Sequence, residues 1–334
     1  MTSISRRRVL AGTTGLLAAT ALSAPFVRGA RAATTISFRL DWTIYGSHAP
    51  FYLALEEKMF EKAGLNVTVG EGQGSGTVSQ LVGRNNDQMA FIDFATMIRA
   101  IEQGVPIIGV QGLLSSLICV ISHADAPIKS PKELEGKIIA FAASESSGQM
   151  LPALMTKAGA DLKKVSILNP AVGAKNALFL QKRADAIPAN VNVQVAELEA
   201  QGAKLHYFLY SDFGIELLSQ GIGANVGWLK ENGEAAKAFI RASRDAHVAT
   251  LADPEKAVDL LIKRLPDQAR NKRVLLRQIE LSKNSYSTTA TKGKPFGVMA
   301  EADWKQTQDN LVQYGGLAKA MPLEKLFTNA YQPS

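Results

Sequence analysis

Between Ile36 and Val69 the chain reads as strand, polar aromatic loop, helix and strand, and no other stretch narrows the choice of fold so much. Ile36, Phe38 and Leu40 alternate with polar residues, as a half-buried strand requires. Phe51, Leu53, Leu55, Met59 and Phe60 then recur at roughly helical spacing. Ser47 is expected to cap this helix and Pro50 to occupy its first turn. Gly64 stands where a left-handed C-terminal stop is needed, and Leu65, Val67 and Val69 open the next strand. In open α/β sheets, ligands gather outside the carboxyl ends of the strands. Asp41, Trp42, Tyr45 and His48 lie at that place.

Strands and helices continue to alternate, which predicts α/β layers around mainly parallel sheets. A glycine-rich turn, Gly72 to Thr77, leads into a short helix, a strand from Met89 to Ile92, a helix from Ala95 to Gln103 and strands at Pro106 to Val110 and Leu117 to Ser122. The polar, proline-bearing passage from Asp125 to Pro131 separates these from a second series of strands and helices that ends near Tyr210. From Trp228 to Tyr286 the chain is largely helical, with Pro254 opening one helix and Pro266 closing another. No internal repeat is visible. Alternation alone fits either one doubly wound domain or two lobes.

Ser5-Arg6-Arg7-Arg8-Val9-Leu10, an apolar stretch to about Leu22 and Ala30-Arg31-Ala32 read as a twin-arginine export signal cleaved near Ala32. The stretch falls short of the roughly 20 apolar residues of a spanning helix. The formal charge of +7 includes five arginines and no acidic residue from positions 1–32, so the remainder carries +2. Elsewhere Lys and Arg alternate with acids and form no basic, aromatic-interleaved segment, so a nucleic-acid partner is not expected. The single cysteine, Cys119 in L-I-C-V-I, is expected to be a small buried hydrophobe in a strand. His48, His123, His206 and His247 show no metal-ligand spacing, so no metal site is expected.

The order Asp41-Trp42, a polar loop with His48, then Y-x-A-x-E-x-x-x-F-x-x-x-G-L-x-V resembles the SsuA/THI5-like solute-binding proteins of ABC importers. That group takes sulfonates, nitrate and thiamine-pyrimidine precursors. The resemblance returns in I-K-S-P-K-E-L-E-G-K-I-I near Lys129 to Ile139 and in the tail M-P-L-E-K-L-F-T-N-A-Y. It implies a two-lobed type II periplasmic-binding-protein clamshell with two hinge crossings. The expected lobes are residues 33–123 with 218–334, and residues 124–217. The implied function is an exported, periplasmic, monomeric component that needs no cofactor. It captures a small solute and delivers it to an ABC permease and its ATPase, having left the cell through the twin-arginine translocase.

The expected pocket takes Trp42, Tyr45 and His48 from the first loop, Gly74, Ser75, Gly76 and Thr77 from the glycine-rich turn, Asp93 from a strand end, and Ser144 and Asn190 from the second lobe. Trp42 and Tyr45 supply stacking faces. The glycine turn is able to offer N–H groups at a helix start. Asp93 reads equally as a helix cap, Tyr45 and His48 equally as core and capping residues, and Ser146, Ser147 and Asn192 are weaker candidates. The first-lobe loops carry no Lys or Arg, which favours a neutral or weakly acidic aromatic or heterocyclic ligand over nitrate and leaves sulfonates and aromatic acids open. The same family includes a pyridoxal-phosphate-dependent pyrimidine synthase with a lysine, a histidine and a cysteine cluster. Ile92, Thr96 and the lone Cys119 stand at the corresponding places, so an enzyme is not expected.

Overall fold

A computed structural model describes residues 33–171 and 173–333. The expected leader, residues 1–32, and its cleavage site lie outside the described residues. The first sheet begins with β1 (Thr34–Arg39), β2 (Leu65–Gly70), β3 (Met89–Asp93) and β4 (Ile107–Gly112). Ile36 and Phe38 are fully buried, and Phe38 packs between Phe51 and Phe239 at centroid distances of 4.7 and 5.0 Å. Gly64, at φ +76°, stops the first helical stretch as expected.

The second sheet contains β5 (Ile118–His123), β6 (Ile138–Ala140), β7 (Ser166–Leu168), β8 (Ala186–Asn190) and β9 (Leu205–Leu209). The chain then returns to the first sheet as β10 (Gln220–Asn225). Spatial orders are β2-β1-β3-β10-β4 and β7-β6-β8-β5-β9. In each sheet the fourth place is held by an antiparallel strand that the chain supplies directly after crossing from the other sheet. The two sheets thus share one topology, a repeat of architecture that leaves no trace in the residues.

The first crossing differs from the expectation. The passage Asp125 to Pro131 lies wholly beyond β5, and β5 is already a central strand of the second sheet, so the chain changes sheets at 113–117. Two crossing segments, 113–117 and 210–219, run side by side: Ser115 bridges Leu218, Ser116 N–H donates to Leu217 O at 3.1 Å, and Ser219 N–H donates to Leu114 O at 3.0 Å. Cys119 is fully buried in β5, where burial pushes its thiol above the usual range, as suits a structural residue.

Candidate ligand-binding cleft

The loop after β1 turns inward and builds one wall. Asp41 Oδ1 lies 2.9 Å from His48 Nε2, and its Oδ2 accepts the Tyr45 hydroxyl at 3.2 Å. Tyr45 N–H donates to His48 Nδ1 at 3.4 Å, which assigns the imidazole proton to Nε2 and makes it the donor to Asp41. His48 is fully buried, 4.0 Å from the Tyr45 ring and edge-on to Phe91 at 5.5 Å. It braces the carboxylate from behind and does not face the cleft. Burial, reinforced by Asp41, holds the Tyr45 hydroxyl well above its ordinary pKa. Ser47 is not the helix cap: His48 holds that position, and Ser47 sits in a 3-10 turn with its hydroxyl turned to Ser282 and Asn192.

The facing wall comes from the second sheet and its helix starts. Lys175, 3% exposed, forms an ion pair with Glu145 and donates to Pro188 O at 3.0 Å. Glu145 also accepts Ala142 N–H at 2.6 Å. After β8 a single π-helical turn, Val191–Val195, folds the Gln194 carboxamide back onto Asn190 N–H at 2.9 Å. Such turns are rare and concentrate at functional sites. Asn190 Oδ1 is buried with no hydrogen-bond partner among the described residues.

Asp41, Trp42, Tyr45, Gly74 and Ser75 meet Glu145, Ser146, Ser147, Lys175, Asn190, Val193 and Gln194 around a cavity of about 30 Å³. That volume is far below the roughly 300–1,000 Å³ of small-molecule pockets. In the described conformation the two walls meet, and the space left between them is too small for a ring.

Of the expected pocket residues, Trp42, Tyr45, Gly74, Ser75 and Asn190 share this cavity, whereas His48, Gly76, Thr77, Asp93 and Ser144 do not line it. Ser144 closes over the glycine turn: its carbonyl faces Gly76 N–H at 3.5 Å and its hydroxyl donates to Gln73 O at 2.7 Å. The helix start expected to meet a ligand thus meets the opposite wall. Asp93 caps the helix Phe94–Glu102, with Oδ1 accepting Thr96 N–H at 2.8 Å. Lys175, Glu145, Val193 and Gln194 were not expected in the cleft; no motif announces them, because a lysine and a glutamate at helix starts read as solvated residues.

Burial raises the Asp93 carboxyl from 3.8 to about 7. A carboxyl that holds its proton longer in the folded state stabilises the fold at low pH and loses that contribution as pH rises from 3.8 towards 7. Asp93→Asn keeps an oxygen for Thr96 and removes the ionisation. Its melting temperature is expected to gain on that of the wild type across this window, as thermal melts from pH 4 to pH 8 will read; a constant difference would refute the assignment.

Roomier hollows exist, of about 500 Å³ behind the crossing segments near Ser115 and Ser287, and about 620 Å³ beside Arg273. Neither gathers buried charges and an aromatic face from both units as the cleft does. Two α/β units of one strand order, joined by two crossings and closing on a polar cleft, define the periplasmic-binding-protein fold.

The chain belongs to the NMT1/THI5-like family, whose model matches residues 46–257, well over half its length. It is 24% identical over 303 residues to the formylaminopyrimidine-binding protein of Halalkalibacterium halodurans, covering 88% of this chain and 90% of that one. It is also 24% identical to the riboflavin-binding protein RibY of Chloroflexus aurantiacus, over 85% of this chain and 82% of the relative. Among solved structures, the periplasmic aliphatic sulphonate-binding protein SsuA of Escherichia coli superposes with a TM-score of 0.68 at 16% identity, over 91% of this chain and 94% of that chain. This last likeness is one of fold.

Proposed function

We propose that the chain is the exported substrate-binding component of an ABC importer and that it closes over a nitrogen heterocycle presenting N–H donors. The observation that carries the ligand class is the surplus of acceptors in the cleft. Asp41 and Asn190, whose Oδ1 is buried without a partner among the described residues, line a cavity whose lining holds one cation, Lys175, already matched by Glu145. A sulfonate would bring its charge against Asp41 with no unmatched cation to receive it, a repulsive element that selects against anions. Trp42, half-buried at the rim, offers a stacking face worth about 0.5–1.5 kcal/mol beyond area burial. Relatives named for binding a formylaminopyrimidine and riboflavin support a heterocycle, thiamine-pyrimidine precursors among them.

In this reading the lobes are residues 33–112 with 220–333, and residues 118–209, hinged at the two crossing segments. Ligand touching both lobes shifts the population towards the closed form, which docks on the permease and its ATPase as a monomer. Residues 1–32 direct export through the twin-arginine translocase to the periplasm, with cleavage near Ala32. The residues do not fit the pyridoxal phosphate of the family's synthase. Ile92, fully buried in β3, has no amine, and Lys175 is held by Glu145 and Pro188.

Thermal melts of residues 33–334 against aminopyrimidines, riboflavin, aromatic carboxylates, alkanesulfonates and nitrate test the proposal. Ligand at 100 times its Kd adds about 2.7 kcal/mol, a shift of roughly 4 °C for a chain of this size. A shift with a heterocycle is expected. A shift with alkanesulfonate alone would overturn the ligand class, and no shift with any compound would count against solute capture.

A further inference from the structure

One polar cluster outside the ligand wall joins the two units. The helix Lys272–Ser282 packs against the Gly46–His48 turn on one side and against the π turn Val191–Val195 on the other. Where the three meet, Asn192 Nδ2 donates to Ser47 Oγ at 3.0 Å and to Ser282 Oγ at 3.1 Å. Ser47 Oγ and Ser282 Oγ are themselves 3.2 Å apart, and Ser282 also donates to Gln278 O at 2.8 Å. The Gln278 carboxamide spans the same junction, accepting Gly46 N–H at 2.7 Å and donating to Val193 O at 3.2 Å. Ser47, Asn192, Gln278 and Ser282 are each no more than 1% exposed.

The wiring is asymmetric. Both recorded bonds of the Asn192 amide leave its own unit, and its Oδ1 has no partner among the described residues. The hydroxyls of Ser47 and Ser282, by contrast, remain paired with each other and with Gln278 O if Asn192 is removed. An amide committed wholly to the opposite unit contributes nothing to folding its own. Its bonds belong to the closed arrangement, and that arrangement leaves only about 30 Å³ between the walls.

We propose that Asn192, with Ser47, Ser282 and Gln278, is a positioning latch that maintains a closed population of the ligand-free protein and so sets how much of it is open to receive solute. The latch rests on the hinge reading above but not on the ligand. The bonds belong to the closed arrangement whether or not solute is inside, so loosening them moves the ligand-free equilibrium towards the open form. Loosening the latch therefore changes ligand uptake without touching a ligand contact.

Pulsed dipolar spectroscopy between spin labels at Lys62→Cys and Lys163→Cys, exposed positions in the first and second units, tests this in the ligand-free protein. Cys119 is buried and stays unlabelled. The unsubstituted latch is expected to show a population at the separation of the described conformation, and Asn192→Ala is expected to reduce it at least threefold with the melting temperature nearly unchanged. Ser282→Ala serves as a second variant should Asn192→Ala fold poorly. The double variant is expected to lose no more closed population than the stronger single, because both remove one interaction, whereas unrelated structural roles would add. No closed population with the latch intact, or an equal one in the variants, overturns the proposal. A working latch in a protein that binds no heterocycle would sink the ligand reading alone.

Discussion

Asp41→Asn is expected to weaken binding of the heterocycle that gives the largest thermal shift by roughly 10- to 150-fold, corresponding to the 1.5–3 kcal/mol of a hydrogen bond to a charged group. The carboxylate is aimed by two donors, the Tyr45 hydroxyl and His48 Nε2–H. An amide satisfies one of them and turns its own N–H₂ towards the other, so the substitution removes the charge and also loosens its aim. The effect should fall on affinity more than on the melting temperature, since Asp41 lies at the cleft and the brace behind it retains the Phe91 contact. Isothermal titration of both proteins reads the result, and equal affinities would refute Asp41 as the donor-reading group.

Gly74→Ala is expected to cost more than tenfold in affinity through closure. Gly74 adopts φ +102°, and a Cβ there would lie 2.6 Å from both the carbonyl oxygen and the hydroxyl of Ser144 on the opposite wall. The methyl meets backbone, which cannot swing away as a flexible side chain would. Gly64→Ala is the control: its φ is also positive, at +76°, but nothing lies within 4 Å of the added carbon. Both variants should lose about 1 kcal/mol or more of stability to backbone strain. Only Gly74→Ala should lose affinity by titration; parallel losses would show that strain, and not the cross-cleft contact, is responsible.

The β-loop-α-β unit at the start was legible because its periodicities, its proline and its glycine all agree. The α/β layering and most strands were legible for the same reason. The run around Cys119 announced a buried strand, yet an apolar run says nothing about which sheet will take it, and the prolines near Asp125 drew the crossing too far along the chain. In the cleft, Trp42 and Tyr45 could be expected from an aromatic loop at a strand end. His48 could not be told from a ligand contact, since a brace and a contact look alike in one dimension. Glu145 and Lys175 are 30 positions apart and become partners only because β8 and two helix starts converge. Asn192 is harder still, because its meaning lies in Ser47 and Ser282, which reach it from the other unit.

The exchange of strands between sheets inverts the order in which the halves can be completed during synthesis. Once Leu209 has emerged, every strand of the second sheet exists. The first sheet, though begun earlier, still holds β3 and β4 apart across a slot that only Gln220–Asn225 can fill. Until then two strand edges carry unpaired N–H and C=O groups, the condition that invites pairing with another chain. At about 5–20 residues per second of translation, that slot stays open for on the order of ten seconds after β4 is made. For this chain the half started first is finished last, and any factor that shelters it as a nascent chain has those two facing edges to cover.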